Sequence, residues 1–220
     1  MNPQEAVRLA FTVYSDNLNI YQEKFNALKI TEIDVENDYG VVLERKDDAV
    51  ICIAGSDDLQ DWFDNFKIIS EHIPNYGKMH FGFYESFCDI NIELSRCMSK
   101  IDRRKPIKVI GHSKGGAIAE IISFYLRNTA RFDDVELFTF GSPRVGKGEW
   151  HRRFLESGIK YSRYVNGKDP VPRVPRNYMG YIHVSDPKLM QDGWFSWLWV
   201  GDFADHSIKR YIKSIDKLNL

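Results

Sequence analysis

The chain has 220 residues, 43% of them hydrophobic and 28% charged, with a formal net charge of -1. That composition belongs to a soluble globular protein rather than a disordered or fibrous one, and the length fits one sizeable α/β domain spanning 1–220 without requiring a second. The near-neutral charge gives no electrostatic basis for a nucleic-acid partner, and no apolar stretch approaches the roughly 18–20 residues of a transmembrane segment.

In chain order, Met1–Glu5 lacks a basic segment followed by an apolar one, so no secretory signal is visible. The default expectation is a cytoplasmic protein, with signal-independent export left open. Val7, Ala10, Phe11, Tyr14, Leu18, Tyr21 and Phe25 recur at helical spacing and predict a helix from Gln4 to Leu28. Tyr39–Leu43 and Ala49–Ala54 read as strands, with Lys46, Asp47 and Asp48 turning a hairpin between them.

A second helix is predicted from Tyr84 to Ile101. Cys88 and Cys97, nine positions apart within it, lie about 13 Å apart along the axis. That exceeds the roughly 7 Å reach of a disulfide. Cys52, in an apolar strand, reads as a buried free thiol, and the three cysteines fit a reducing compartment. Ile107–Ile110 is a short apolar strand, Gly115–Arg127 an apolar-faced helix, Val135–Phe140 a strand and Trp150–Glu156 a short helix. Tyr161–Val165 is a further strand and Asp205–Lys217 the last helix. Strands alternating with helices in the second half predict a mostly parallel sheet covered on both faces, with the early hairpin as an antiparallel edge.

Gly111-His112-Ser113-Lys114-Gly115 fits the G-x-S-x-G pattern. It stands directly after a strand and before a helix, the strand–turn–helix setting of a nucleophilic serine. A sharp turn there lifts the hydroxyl above the sheet, and side chains two positions before or after would collide. The plain alternative is a Gly-rich turn that merely packs well.

A serine nucleophile needs a base, and the base an orienting carboxylate, in the chain order serine, acid, histidine. His151, His183 and His206 follow Ser113, and the last two also follow Asp169, an acid in a loop just after a strand and stiffened by Pro170 and Pro172. Asp186, Asp192, Asp202 and Asp205 are lesser candidates. His112 reads as a packed, hydrogen-bonded residue; His72, His80 and His151 read as ordinary surface or core histidines.

At this point the sequence resembles the class 3 lipase family, the fungal-type triacylglycerol lipases. The resemblance runs from about Ala49 to Tyr211. Its landmarks are Ala54-Gly55-Ser56 with Asp61, Trp62 and Asn65; His80–Phe83; Gly111–Ala117; Phe138–Gly146; Arg163–Asn166 with Asp169–Pro172; Tyr181–His183; and Asp205-His206. The resemblance implies a single-domain α/β-hydrolase with Asp169 as the triad acid, His206 as the base and His183 as a structural histidine. Placement agrees: His183 sits inside a predicted strand, His206 at a loop-to-helix boundary.

Acyl transfer places negative charge on the carbonyl oxygen, for which the backbone N–H of Lys114 is the first expected donor. By resemblance the second is Ser56, which is equally placed to cap a helix over 57–66. Leu59, Trp62, Phe63 and Phe66 share one face of that stretch, either as a surface helix or, by resemblance, as a lid over the cleft. Trp194, Trp197 and Trp199 cluster before His206, suited to an acyl pocket, a lipid surface or the core.

Lys114 stands where the family usually carries an apolar residue. Its charge is expected either to pair with Asp57 or Asp58, or to favour substrates with a phosphate or carboxylate. The chain is also shorter than typical members, which argues against a simple triacylglycerol preference. The reading is therefore a serine carboxylester hydrolase acting on lipid esters, at a membrane or micelle surface, with no metal or organic cofactor and no assigned oligomeric state. A phospholipase or lysophospholipase would use the same triad. A thioesterase or acyltransferase, or an inactive hydrolase fold kept as a binding module, are the remaining alternatives, the last opposed by the complete triad.

Overall fold

The computed structural model describes every residue except 16, 37, 57–66, 191–202 and 219–220. Helix α1 (Pro3–Thr12) begins with proline at its first position, and the Asn2 side chain accepts from Glu5 N at 2.8 Å, satisfying one orphan donor of the first turn. The single helix expected from Gln4 to Leu28 is two: α1, then α2 (Asn19–Phe25). Ser15 and Asn17 break it by accepting from Asn17 N and Asn19 N. Such local side-chain acceptors compete with the helical ladder.

The central sheet has seven strands in the order β1 (Lys29–Val35), β2 (Asp38–Glu44), β3 (Ala49–Ile53), β6 (Ile107–His112), β7 (Val135–Phe140), β9 (Lys160–Asn166) and β11 (Pro187–Met190). β1–β2 and β2–β3 are antiparallel, and every later pair is parallel. The expected antiparallel edge is thus present, extended by β1. β1 and β11 went unread because neither is an apolar run: β1 alternates charge along a half-exposed edge, and β11 opens on proline and lysine.

Strand pleating divides the core. Val42, Ile51, Ile53, Val109 and Leu137 face α3 (Phe81–Met98), α4 (Lys114–Asn128) and α5 (Gly148–Glu156). Val41, Leu43, Val50, Cys52, Ile110, Phe138 and Phe140 face α1 and α7 (Ile208–Ile215). A second, four-stranded sheet joins β10 (Tyr181–Ile182), β8 (Gly146–Lys147), β5 (Gly77–His80) and β4 (Ser70–Ile73); only the strand at β10 was expected, and it ends one residue before His183, which was expected inside it. Its strands of two to four residues are too short for a period to show. The predicted final helix is also divided, into α6 (Phe203–His206) and α7, with Ser207 between them in extended backbone. Among the described residues no helix is long and apolar enough to cross a membrane.

The C-terminal ends of the parallel strands β3, β6, β7 and β9 all point to one rim, where parallel sheets place their chemistry.

Candidate active site

Ser113 occupies the turn between β6 and α4 at φ 56°, ψ -131°. That is a costly conformation for a residue with a side chain, worth about 1–3 kcal/mol. Two glycines permit it: a Cβ on Gly111 would overlap the Gly115 carbonyl, and one on Gly115 would overlap the carbonyls of Ile53 and Ala54. Ser113 N donates to Phe140 O at 3.0 Å, which ties the turn to β7.

Asp169 and His206 meet directly. The His206 Nδ1 lies 2.8 and 2.9 Å from the two carboxylate oxygens of Asp169, and each residue is 1% exposed. The carboxylate also accepts from Tyr211 Oη at 2.6 Å and from Val171 N at 2.9 Å. Burial, reinforced by the Asp169 charge, holds the Tyr211 phenol well above its ordinary pKa, so it remains a donor. With Nδ1–H directed to Asp169, the His206 Nε2 presents its lone pair. Nε2 and Ser113 Oγ are both buried and neither has a hydrogen-bond partner among the described residues. Unsatisfied buried polar atoms are rare, and a catalytic role is one accepted reason for them.

Gly141 lies beneath the pair at φ 62°; a Cβ there would come within 2.8 Å of Asp169 Oδ2 and His206 Cε1. The Asp169 loop is held from below. Asn166 Nδ2 donates to Asp205 O at 3.0 Å, Ser214 Oγ to Asn166 Oδ1 at 2.9 Å, and Lys168 N to Asp205 Oδ2 at 2.9 Å. Asp205 thus braces the acid loop and is itself held by Arg210 at 2.6 Å.

His112 lies 4.6 Å, centroid to centroid, from the His206 ring. Burial first, and the neighbouring His206 second, lower its pKa to about 3, so it is neutral. Its Nε2 lies 2.8 Å from the His206 carbonyl and must carry the proton; its Nδ1 therefore accepts from Tyr14 Oη at 2.9 Å. Tyr14 Oη in turn accepts from Gly55 N at 2.8 Å. One chain of hydrogen bonds thus runs from the loop carrying Ser56, through Tyr14 and His112, to the backbone of His206. A Cβ on Gly55 would meet Tyr14 Oη at 2.7 Å and Ser113 Cβ at 2.9 Å, so this loop lies directly against the serine.

Lys114 opens α4 with its N–H at the turn, and its ammonium pairs with Asp38 at 2.9 Å. That partner is on β2 and was not expected; Asp57 and Asp58, the expected partners, lie outside the described residues. So do Leu59, Trp62, Phe63 and Phe66, and Asp192, Asp202, Trp194, Trp197 and Trp199. His183 bonds Pro172 O through Nε2 at 2.7 Å, and burial lowers its pKa to about 3; it buttresses the acid loop. His151 bonds the His183 carbonyl. The sequence reading assigned no role at this site to Tyr14, Asp38, Asn166 or Tyr211. Nothing local distinguishes them, since each acts on a residue that is distant in the chain.

A family model for "Lipase (class 3)" matches residues 50–179, more than half of the chain. A secreted mono- and diacylglycerol lipase from Fusarium solani is 34% identical over 153 residues, covering 66% of this chain and 44% of its own. A chloroplastic phospholipase A(1) of Arabidopsis thaliana is 27% identical over 150 residues, covering 58% of this chain and 34% of its own. The chain therefore spans less than half the length of these curated relatives. A crystal structure of a lipase from Rhizopus microsporus var. chinensis superposes with a TM-score of 0.78 over 92% of this chain and 84% of that one, at 18% identity, so the fold is of the α/β-hydrolase kind. With a match of this extent laid over the Ser113 turn and the Asp169 loop, the chain belongs to the class 3 lipase family.

Proposed function

We propose that the chain is a single-domain serine carboxylester hydrolase acting on lipid esters at a membrane or micelle surface. The observation that carries the reading is the buried His206–Asp169 contact together with a serine in strained backbone, with Nε2 and Oγ both lacking a hydrogen-bond partner among the described residues. In this mechanism His206 Nε2 takes the Ser113 proton as Oγ attacks the ester carbonyl, while Asp169 fixes the ring and stabilises the imidazolium. The N–H groups of Lys114 and Ser56 receive the developing oxyanion. His206 then protonates the leaving alcohol and activates the water that releases the acid. The free thiols Cys52, Cys88 and Cys97 support action in a reducing compartment.

Hydrolysis of p-nitrophenyl esters of graded chain length by wild type and Ser113→Ala tests this. Turnover that vanishes in the variant supports it. Absence of turnover by folded wild type across all chain lengths, with and without micelles, overturns it. A second reading, a phospholipase with the same triad, draws on the Arabidopsis relative. Competing phosphatidylcholine and monoacylglycerol micelles separates the two.

A further inference from the structure

Between α1, α2 and α7, on the sheet face that carries Tyr14, lies a cavity of about 430 Å³. That falls within the roughly 300–1,000 Å³ of small-molecule sites. Phe11, Tyr14, Ile20, Phe25 and Ile212 give it apolar walls. Among the described residues Arg8 and Lys24 are its charged members, both exposed, and none of those lining it is acidic. Arg8 is already engaged with Asp216 and with Gln4 O, whereas Lys24 has no ion-pair partner among the described residues. An apolar interior beneath cations suits one chemistry: a single acyl chain ending in an anion.

The hydrolysis proposed above releases such a molecule. Tyr14 links the two places, since its side chain lines the cavity while its hydroxyl bonds Gly55 N–H and His112 Nδ1. Resting on that reading of the active site, we infer that the cavity is a second lipid site, taking the released fatty acid and reporting its presence to the oxyanion loop through Tyr14. A chain in the cavity packs against the tyrosine whose hydroxyl positions the loop, so occupancy acts on kcat rather than by competition for the cleft.

The test uses the protein with Ser113 phosphorylated by diethyl p-nitrophenyl phosphate, so that the nucleophile is blocked and dodecanoate bound in the cleft is distinguished by its insensitivity to the two cavity substitutions below. Titration calorimetry with octanoate, decanoate and dodecanoate should give one site, tightening about fourfold per methylene. Dodecyltrimethylammonium, with an equal chain and the opposite charge, should not bind. Lys24→Glu at the rim and Ile20→Trp in the interior should each abolish dodecanoate binding. No saturable binding, equal binding of the ammonium, or affinity unchanged by both substitutions overturns the site. In unblocked enzyme, dodecanoate should lower kcat for p-nitrophenyl butyrate in wild type and not in Lys24→Glu; identical inhibition of the two overturns the link through Tyr14. Should Ser113 take no phosphoryl group, the hydrolase reading fails instead, and dodecanoate binding is measured on the unmodified protein.

Discussion

Lys114 and Asp38 form an ion pair across the loop that carries Ser56. Gly40 faces Ile53 in the β2–β3 ladder and Ala54 N donates to Tyr39 O, so the next step of that ladder brings Asp38 beside Gly55. The pair therefore spans from the residue after the serine, over the loop, to the neighbouring strand. Asp38 is 6% exposed and the Lys114 side chain 15%, so neither is well solvated. Lys114→Leu should destabilise by about 3–5 kcal/mol in urea unfolding, because it strands a buried carboxylate. Adding Asp38→Asn should recover most of that loss. Because the ammonium is already engaged, the ratio of activity on neutral and anionic esters should change less than about threefold, within the weak effect of a partnered charge. A larger change would mean that the lysine meets substrate.

Tyr211 holds the second oxygen of Asp169. Tyr211→Phe keeps the ring and removes only the hydroxyl, so Asp169 loses one of its donors and Asn166 N loses its acceptor. The expected cost is about 1–3 kcal/mol of stability and about tenfold in kcat/KM. Stopped assays on p-nitrophenyl butyrate with parallel thermal melts check this. Full activity would show that Val171 N–H suffices to orient the acid.

Tyr14→Phe should act at the other end. It leaves Gly55 N–H without its acceptor and His112 Nδ1 without its donor. The loop moves where the oxyanion forms, so kcat should fall about tenfold with KM little changed, the signature of an interaction made in the transition state. A rise in KM with kcat intact would place Tyr14 in substrate binding instead.

Glu120 provides a pH test distant from the chemistry. It is buried against Trp150, whose Nε1 donates to it at 2.8 Å, and burial pushes its pKa up from 4.5 to about 7. A carboxyl raised on folding favours the protonated form, so its contribution is fully present below pH 4.5 and is lost as pH rises through about 7. At pH 8 the cost is on the order of 3 kcal/mol. Glu120→Gln should be more stable than wild type at pH 8 and no better at pH 4.5 in calorimetry. A constant difference across that range would contradict the assignment.

The turn that carries Ser113 was legible in the sequence because it is written locally. Gly111 and Gly115 flank Ser113 because the turn brings backbone against backbone, and that demand leaves glycine at fixed offsets. The core of β2, β3 and β6 was equally readable, since strands covered on both faces leave apolar runs. The two-residue strands β8 and β10 have no period to read. Asn166, which ties the acid loop to α7, and Asp38, which meets Lys114, are ordinary polar residues until the fold brings their partners near. Asp205 is one of the lesser acid candidates of the sequence, and the fold gives its carboxylate other partners than the His206 ring. It accepts from Lys168 N and Arg210.

α1 and α7 pack on each other, joined by Arg8 and Asp216, so the two ends of the chain lie side by side. Tyr14 comes from one end, and His206 and Tyr211 from the other. Neither His206 nor the tyrosines that contact the Gly55 loop and Asp169 can be in position until a separation of some two hundred residues has been closed, at an entropic cost that grows with the chain between them. On the proposed reading, a clipped chain that keeps much of the sheet but lacks either end would be inert. Catalytic turnover, more than secondary-structure content, is then the measure of whether a molecule has finished folding.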